Sequence, residues 1–189
     1  MSVTEPLPIP RCVSVHSKRI EPETIVFSEK VRTYCKYPYP MPNPTHPDGC
    51  PNYGKNPLCP PNAPYRPEIK ERYDTFVIAY VRFDIEKYVE LIRPRFPKWS
   101  IGQLRNSRLW QPKVKSILKD HVNTFKPDEI LGAGSGFTNC QSMESAGINV
   151  FATLVKNKIP FDKKAKKIIT LVALLLIDSK RPRMKVSRL

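Results

Sequence analysis

The sequence lacks any apolar run long enough to cross a membrane as a helix. Its longest apolar run, from Ile168 to Ile177, is interrupted by Thr170, whereas a spanning helix needs about 20 residues. A charged-then-apolar leader is also missing from Met1 to Pro10. We therefore expect a cytoplasmic protein with no membrane segment.

Acidic residues are scarce. The chain has 17 Asp and Glu against 32 Lys and Arg, a net charge of +15, which favours a polyanionic partner such as RNA or an acidic protein surface. Much of the excess lies in Arg93 to Lys126 and in Lys156 to Leu189. The alternative is a solvated lysine-rich surface. The candidate nucleic-acid contacts are Lys163, Lys164, Lys166, Lys167, Lys180, Arg181 and Arg183.

The usual catalytic patterns are missing as well. No Ser-His-Asp pattern, paired carboxylates, G-x-G-x-x-G fingerprint or Walker loop is present. The glycine-rich loop with Gly132, Gly134 and Gly136 is at most a weak phosphate cradle. His121 lies on the apolar stripe of a predicted helix and is interpreted as a structural residue. The residues thus leave open whether the protein is an enzyme.

Closely spaced cysteine pairs, as in zinc fingers, are absent. The odd number of five cysteines argues against a disulfide scaffold and for a reducing compartment. Cys35, Cys50 and Cys59 instead follow a C-x14-C-x8-C spacing in a proline-rich loop that regular helix or strand structure cannot organise. A three-cysteine [4Fe-4S] cluster tolerates such spacing better than zinc does. The alternative is ordinary reduced thiols. His46 is a candidate fourth ligand.

The composition predicts three regions. Fifteen of the 21 prolines lie in the first 67 residues, so we predict an N-terminal wrap over 1–67 with the metal loop at 35–61. An α/β core over 68–178 and a basic tail over 179–189 follow. The periodicity predicts strands at 75–83, 129–133 and 167–177 and helices at 85–92, 112–125 and 142–156. This order favours an α/β or α+β fold, with a small mixed, partly parallel sheet covered by helices.

The helix predicted to begin at Ser142 has consequences for its neighbours. Ser142 and Glu144 would serve as its N-terminal cap and dipole partner. Cys140 would precede the helix start, where the helix dipole lowers the pKa of a thiol and suits it to metal ligation or sulfur chemistry. The alternative for Cys140 is a small residue packed in a turn.

Three segments together resemble a known family. CPNYGKNPLCPP (50–61), CQSMESAGINVF (140–151) and ITLVALLLID (169–178) are similar to the uncharacterised cysteine-rich predicted metal-binding protein family, over roughly Val31 to Asp178. The resemblance implies that Cys35, Cys50 and Cys59 are its first cysteine group, and members are suspected of carrying iron-sulfur clusters. Its second group is reduced here to Cys140, which either completes the first site or is a remnant.

Two functions follow as expectations. In the first, a metal centre, expected to be [4Fe-4S] with zinc as the alternative, serves redox or sulfur-handling chemistry in an enzyme or accessory subunit. In the second, the metal is only structural, and the basic surface makes the protein a nucleic-acid or ribonucleoprotein binding module. A decayed site in a remaining scaffold is a third possibility.

Overall fold

The computed structural model describes residues 6–36, 49–132 and 140–181. Its strands are β1 (Val13–Ile20), β2 (Thr75–Asp84), β3 (Glu129–Gly132) and β4 (Ile168–Ile177). Its α-helices are α1 (Glu29–Thr33), α2 (Ile69–Arg72), α3 (Ile85–Ile92), α4 (Ile101–Leu104), α5 (Ser107–Thr124) and α6 (Val150–Lys156). Short 3-10 turns lie at Ile9–Cys12, Pro22–Thr24, Tyr34–Lys36 and Arg93–Arg95.

The four strands form one antiparallel sheet in the order β1-β2-β4-β3. The fold is therefore α+β, and the expected partly parallel sheet is wrong. Since β2 and β3 are each antiparallel to β4, they run in the same direction, as the helices between them led us to expect. The last strand, β4, inserts between them, so the two parallel strands are not neighbours.

The strands and helix with the clearest patterns are confirmed. The predicted strands at 75–83 and 167–177 are β2 and β4. The strand predicted at 129–133 is β3, which spans the described part of that range. In α3 the four residues of the apolar stripe are buried, and the Asp84 side chain caps the helix by accepting a hydrogen bond from the Lys87 N–H at 2.9 Å.

The helix predicted from Pro112 begins five residues earlier. Asn106 caps α5 by accepting a hydrogen bond from the Arg108 N–H at 3.0 Å, so Pro112 lies within the helix rather than at its start. His121 lies on this helix with its ring edge-to-face against Phe125, at 5.2 Å between centroids. This contact agrees with the structural interpretation of His121.

The helix predicted over 142–156 is wrong in its first half. The chain makes turns up to Asn149, because Gly147 has φ of +92°, a left-handed conformation that interrupts a right-handed helix. The shorter α6 begins at Val150 and is capped by the Asn149 side chain, which accepts a hydrogen bond from the Ala152 N–H. Ser142 lies in this turn, where its Oγ accepts a hydrogen bond from the Ser145 N–H, and it forms an isolated bridge with Gly132.

Apolar clusters pack on both faces of the sheet. On one face, side chains such as Val81 and Phe83 of β2 pack among residues of α3 and α5. On the other face, alternate residues such as Ile78 and Leu174 pack against Ile25, Ile148 and their neighbours, which come largely from turns and loops. We call this second side the loop-covered face. The segment at 35–61, which we call the cysteine loop, is attached to this side through the hydrogen bond from the Ser145 hydroxyl to the Leu58 carbonyl.

The N-terminal region contributes directly to the sheet. The edge strand β1, which falls within the first 67 residues, pairs along its full length with β2 from Phe83 to Phe76. Phe27, in the segment between β1 and α1, makes an isolated bridge with Ile148. The three-part division of the chain remains a prediction. Of the described helices, none is long and apolar enough to cross a membrane.

Candidate metal centre

The first two cysteines are brought together by the backbone. The Cys50 N–H donates a hydrogen bond to the Cys35 carbonyl at 2.9 Å. Gly49, with φ of +96°, makes this approach possible, because a Cβ on residue 49 would lie 2.6 Å from the Cys35 carbonyl oxygen. Cys35 itself lies in the 3-10 turn Tyr34–Lys36. The two cysteines are therefore neighbours despite 14 intervening residues.

A series of turns brings Cys59 back toward Cys50. The Tyr53 N–H donates to the Cys50 carbonyl, and the Cys59 N–H donates to the Asn56 carbonyl at 3.0 Å. The Gly54 N–H donates to the Pro60 carbonyl at 2.9 Å, which closes the segment upon itself. This segment obtains its hydrogen bonds from turns, as its proline content led us to expect.

The thiols of these three cysteines are unpaired and partly buried. Burial and then the neighbouring Cys50, Cys59 and Glu144 raise the pKa of Cys35, whose thiol also shares a hydrogen bond with that of Cys50. Burial and then Cys50 raise the pKa of Cys59. The three thiols thus lie near enough to affect the pKa of Cys35 and of Cys59, and their grouping as metal ligands remains a prediction.

The chain around residues 141–146 fixes the cysteine loop to the body of the protein. Gln141 donates its side-chain N–H to the Pro64 carbonyl at 2.8 Å, and Ser145 donates its hydroxyl to the Leu58 carbonyl at 2.7 Å. Both side chains are buried. Glu144 lies close enough to the thiol of Cys35 to raise its pKa. The sequence predicted a helix-start role for Glu144, and no local pattern indicated this proximity.

Cys140 lies in a different environment. The expectation of a lowered pKa is wrong: burial and then Glu129 raise the pKa of its thiol, and the nearest following helix begins only at Val150. Cys140 lines an open cleft of about 650 Å³ together with Leu58 and Gln141. The cleft therefore borders the cysteine loop, while the ionisable groups that perturb Cys140 are Glu129 and Lys119.

The same cleft contains an ion pair that sequence analysis did not find. The buried Arg66 guanidinium donates two hydrogen bonds to the Glu129 carboxylate, one of them at 3.0 Å, and the Tyr73 hydroxyl donates to the same carboxylate at 2.8 Å. Burial alone would raise the pKa of Glu129, but these hydrogen bonds outweigh it and lower the pKa. No local signal links residues that are 63 positions apart.

The chemistry of the three cysteines suits a thiophilic metal, because thiolates are soft ligands. In the part of the chain that the structure describes, however, no group of three or more Cys, His, Asp or Glu side chains meets the requirements of a metal site. The cysteines therefore fit such a metal by their chemistry, but the described residues do not arrange three ligands around one position. His46, Gly134, Gly136 and Arg183 lie outside the described residues.

The candidate nucleic-acid residues fall into two groups at opposite ends of β4. Lys163, Lys164, Lys166 and Lys167 precede the strand, while Lys180 and Arg181 follow it, and all six are exposed. A strand of ten residues separates the two groups by about 30 Å. Arg181 also forms an ion pair with Asp128 at 3.5 Å. The two groups do not form one compact patch.

A protein-family model described as "Predicted metal-binding protein (DUF2284)" matches residues 18–124, which is more than half of the chain. The protein thus belongs to a class of predicted metal-binding proteins with an antiparallel α+β fold. The chain is a member of this DUF2284 family, which confirms the resemblance. The matched range includes Cys35, Cys50 and Cys59 and ends before Cys140. Searches of curated proteins and of solved structures gave no match.

Proposed function

We propose that Cys35, Cys50 and Cys59 hold a metal centre, that this centre is a [4Fe-4S] cluster, and that it serves redox or sulfur-handling chemistry. The observation that carries the proposal is the hydrogen bond from the Cys50 N–H to the Cys35 carbonyl, which holds these two proposed ligands near each other, while Cys59 lies near enough to affect the pKa of Cys35. Membership in a predicted metal-binding family supports the metal.

Three cysteines leave one iron of such a cluster without a cysteine ligand, where it can bind a sulfur species or another donor. Among the residues that the structure describes, Cys140 and Glu144 are the two candidates for a fourth protein ligand. Glu144 lies near Cys35, whereas Cys140 borders the cleft beside the loop. A thiolate donor favours a cluster, and a carboxylate donor favours a harder metal ion.

The experiment is the measurement of iron, zinc and acid-labile sulfide per chain, with a visible spectrum, on protein purified without oxygen. We expect about four iron and four sulfide in the wild type, as a [4Fe-4S] cluster requires, and their loss in Cys50→Ser. The matched control is Cys12→Ser, because Cys12 is buried in the cluster on the opposite face of the sheet. Loss of iron in both variants, or no metal in the wild type, would overturn the proposal.

One zinc without sulfide would instead indicate a structural metal. The Cys140→Ser and Glu144→Gln variants then identify the fourth ligand. If Cys140 completes the site, only Cys140→Ser should reduce the metal content, and if Glu144 completes it, only Glu144→Gln should do so. If neither variant changes the content, the fourth position is open to an external ligand.

A second candidate function is binding of a nucleic acid or another polyanion. The observation that favours it is the exposed turn before β4, where Asp162 accepts hydrogen bonds from the backbone N–H groups of Lys164 and Lys166. This arrangement uses the backbone of the turn, so the lysine side chains stay available to phosphates. Of them, Lys167 lies 3.7 Å from Glu86 in an exposed pair.

The test measures binding of a single-stranded RNA as a function of salt. Replacing Lys163, Lys164 and Lys166 with Ala should weaken binding and lower the slope of log K against log salt by about 0.7 for each lost phosphate contact. Replacing Lys180 and Arg181 provides the comparison at the other end of β4. No RNA binding at low salt would rule this function out.

A further inference from the structure

A polar row crosses the loop-covered face at the end of the sheet where β4 begins. Ser14 of β1, Arg82 of β2 and Thr170 of β4 stand opposite one another in the strand register, with Arg82 in the middle. Side chains at directly paired positions of an antiparallel sheet have Cβ atoms about 5 Å apart. A guanidinium and two hydroxyl groups therefore share one small area of the sheet.

Alternation along β2 fixes the face on which Arg82 lies. Its neighbours Val81 and Phe83 pack among α3 and α5 on the other side, and Tyr80 packs with the loop-covered cluster. His16 continues the row, since its ring stacks on Tyr80 at 5.0 Å and its Nε2 lies 2.9 Å from the Ser14 hydroxyl. The row thus extends from Ser14 to the imidazole of His16, which can also form hydrogen bonds.

Two polar atoms of this row are buried and unsatisfied. The Arg82 Nε and the Thr170 Oγ1 are inaccessible to solvent and have no hydrogen-bond partner among the residues that the structure describes. A buried charged donor without a partner is costly, so such a group calls for an explanation. The unsatisfied Thr170 hydroxyl at the paired position of β4 needs an explanation of the same kind.

The local charge indicates what kind of partner the Arg82 guanidinium would take. Within the described ranges, no carboxylate forms an ion pair or a hydrogen bond with Arg82, and the nearby Asp84 is engaged as the cap of α3. The exposed lysines at 163–167 precede the same end of β4 and make it more positive. A planar guanidinium beside hydroxyl donors matches an oxyanion, which it can bind through two parallel hydrogen bonds.

We propose that the row of Ser14, Arg82 and Thr170, with His16 at its end, is a binding site for the phosphate or carboxylate group of a small ligand. The Arg82 guanidinium supplies the charge, and the Thr170 and Ser14 hydroxyls donate to the remaining oxygens. The site is formed by the sheet alone and does not depend on the metal centre or on RNA binding.

The experiment titrates the full chain with inorganic phosphate and, separately, with acetate at constant ionic strength, by calorimetry and by urea unfolding. Binding should raise the urea midpoint, because a ligand that binds only the folded state stabilises it. A response to phosphate alone identifies a phosphate-bearing ligand, and a response to acetate alone a carboxylate. If neither anion binds, the inference is wrong.

Variants locate the site. Arg82→Gln should weaken binding about tenfold or more, as expected for a lost hydrogen bond to a charged group. Arg82→Lys should also weaken binding, because an ammonium cannot form the two parallel hydrogen bonds of a guanidinium. The control is Arg19→Gln, which makes the same charge change on the same sheet at an exposed position. Equal losses in the Arg82 and Arg19 variants would show a general charge effect and overturn the site.

Thr170→Val tests the site independently, in case the Arg82 variants fail to fold. Because the Thr170 hydroxyl has no partner to lose among the described residues, this change should leave the urea midpoint without anion unchanged or higher. It should nevertheless reduce anion affinity several-fold. An unchanged affinity in Thr170→Val would contradict a role for the row.

Discussion

At the residue scale, the cysteine loop depends on one glycine more than on another. Gly49 and Gly54 both have positive φ, +96° and +72°. A Cβ at residue 49 would meet the Cys35 carbonyl oxygen at 2.6 Å, whereas a Cβ at residue 54 would meet nothing within 4 Å. The two glycines therefore share a backbone requirement and differ in space, which makes them a matched pair.

We predict that Gly49→Ala separates Cys35 from Cys50 and removes most of the bound metal. Gly54→Ala should keep the metal and cost only the strain of a left-handed alanine, about 1 kcal/mol. Metal content per chain and the urea midpoint measure the two effects. Equal metal content in both variants would mean that the hydrogen bond between Cys50 and Cys35 does not organise the site.

A second prediction at this scale concerns the buried Arg66. Glu129→Gln removes its main charge partner, so we expect a loss of about 2 to 3 kcal/mol in the free energy of unfolding, somewhat less than for a fully buried pair. The control is Glu68→Gln, since Glu68 also pairs with Arg66 at 3.3 Å but its side chain is 56% exposed. That change should cost less than about 1 kcal/mol. Urea unfolding compares them, and similar losses would argue against this account.

The residue scale also shows how far the sequence could identify the site. Spacing and the family resemblance grouped Cys35, Cys50 and Cys59, because a proline-rich loop leaves few other ways to organise such a segment. The positions of Glu144 and Arg66 could not be predicted. They depend on contacts between residues far apart in the chain, which no local pattern records.

At the element scale, α5 shows how a helix start can be misplaced. Proline is favoured in the first turn of a helix, so the sequence predicts that this helix begins at Pro112. Asn106 is the actual cap, and the residues between them continue the helix. A proline after the first turn lacks an N–H that would otherwise donate a hydrogen bond within the helix. We therefore expect the cap at Asn106 to contribute more to the stability of α5 than a cap contributes in a helix without an internal proline.

We predict that Asn106→Ala destabilises the protein by about 1 kcal/mol, because the N–H of Arg108 loses its acceptor. Asn106→Ser, which keeps a side-chain oxygen, should retain most of the stability. The free energy of unfolding in urea measures both. If the two variants lose the same amount, the side-chain oxygen of residue 106 is not the stabilising group.

The turn at Asp162 gives a prediction about pH. Backbone hydrogen bonds from Lys164, Lys166 and Lys167 lower the pKa of this carboxyl group in the folded state. Its contribution to stability is therefore complete above the ordinary aspartate pKa of about 3.9 and is lost as the pH falls through the lower folded value.

Asp162→Asn keeps one acceptor oxygen but does not titrate. The stability difference between the wild type and Asp162→Asn should therefore be constant near neutral pH and should shrink on acidification below about pH 4. Urea midpoints across this range provide the measurement. A difference that grows as the pH falls would have the wrong sign.

At the scale of the whole molecule, three of the four described strands could be predicted and their arrangement could not. The apolar runs of β2 and β4 are recognisable because both faces of these central strands are buried. The order of the strands depends on where β4 inserts, and only long-range packing decides that. The edge strand β1 was missed because its exposed residues, such as Ser14, Ser17 and Lys18, obscure the alternation.

The two apolar clusters together predict the effect of metal removal. Neither cluster contains Cys35, Cys50 or Cys59, so removing the metal should leave the sheet and the helices folded. Circular dichroism before and after chelation should show the same helix and strand content, with a urea midpoint shifted only slightly. Loss of the folded signal on chelation would instead support a metal that staples the domain.

The hydrogen bond between Cys50 and Cys35 also bears on whether folding precedes metal binding. Small zinc domains gather their ligands only when the ion arrives, so metal capture and folding are one event. Here the backbone alone holds Cys35 and Cys50 side by side. This arrangement predicts that the chain folds before the proposed metal centre binds, so that metal binding follows folding instead of driving it.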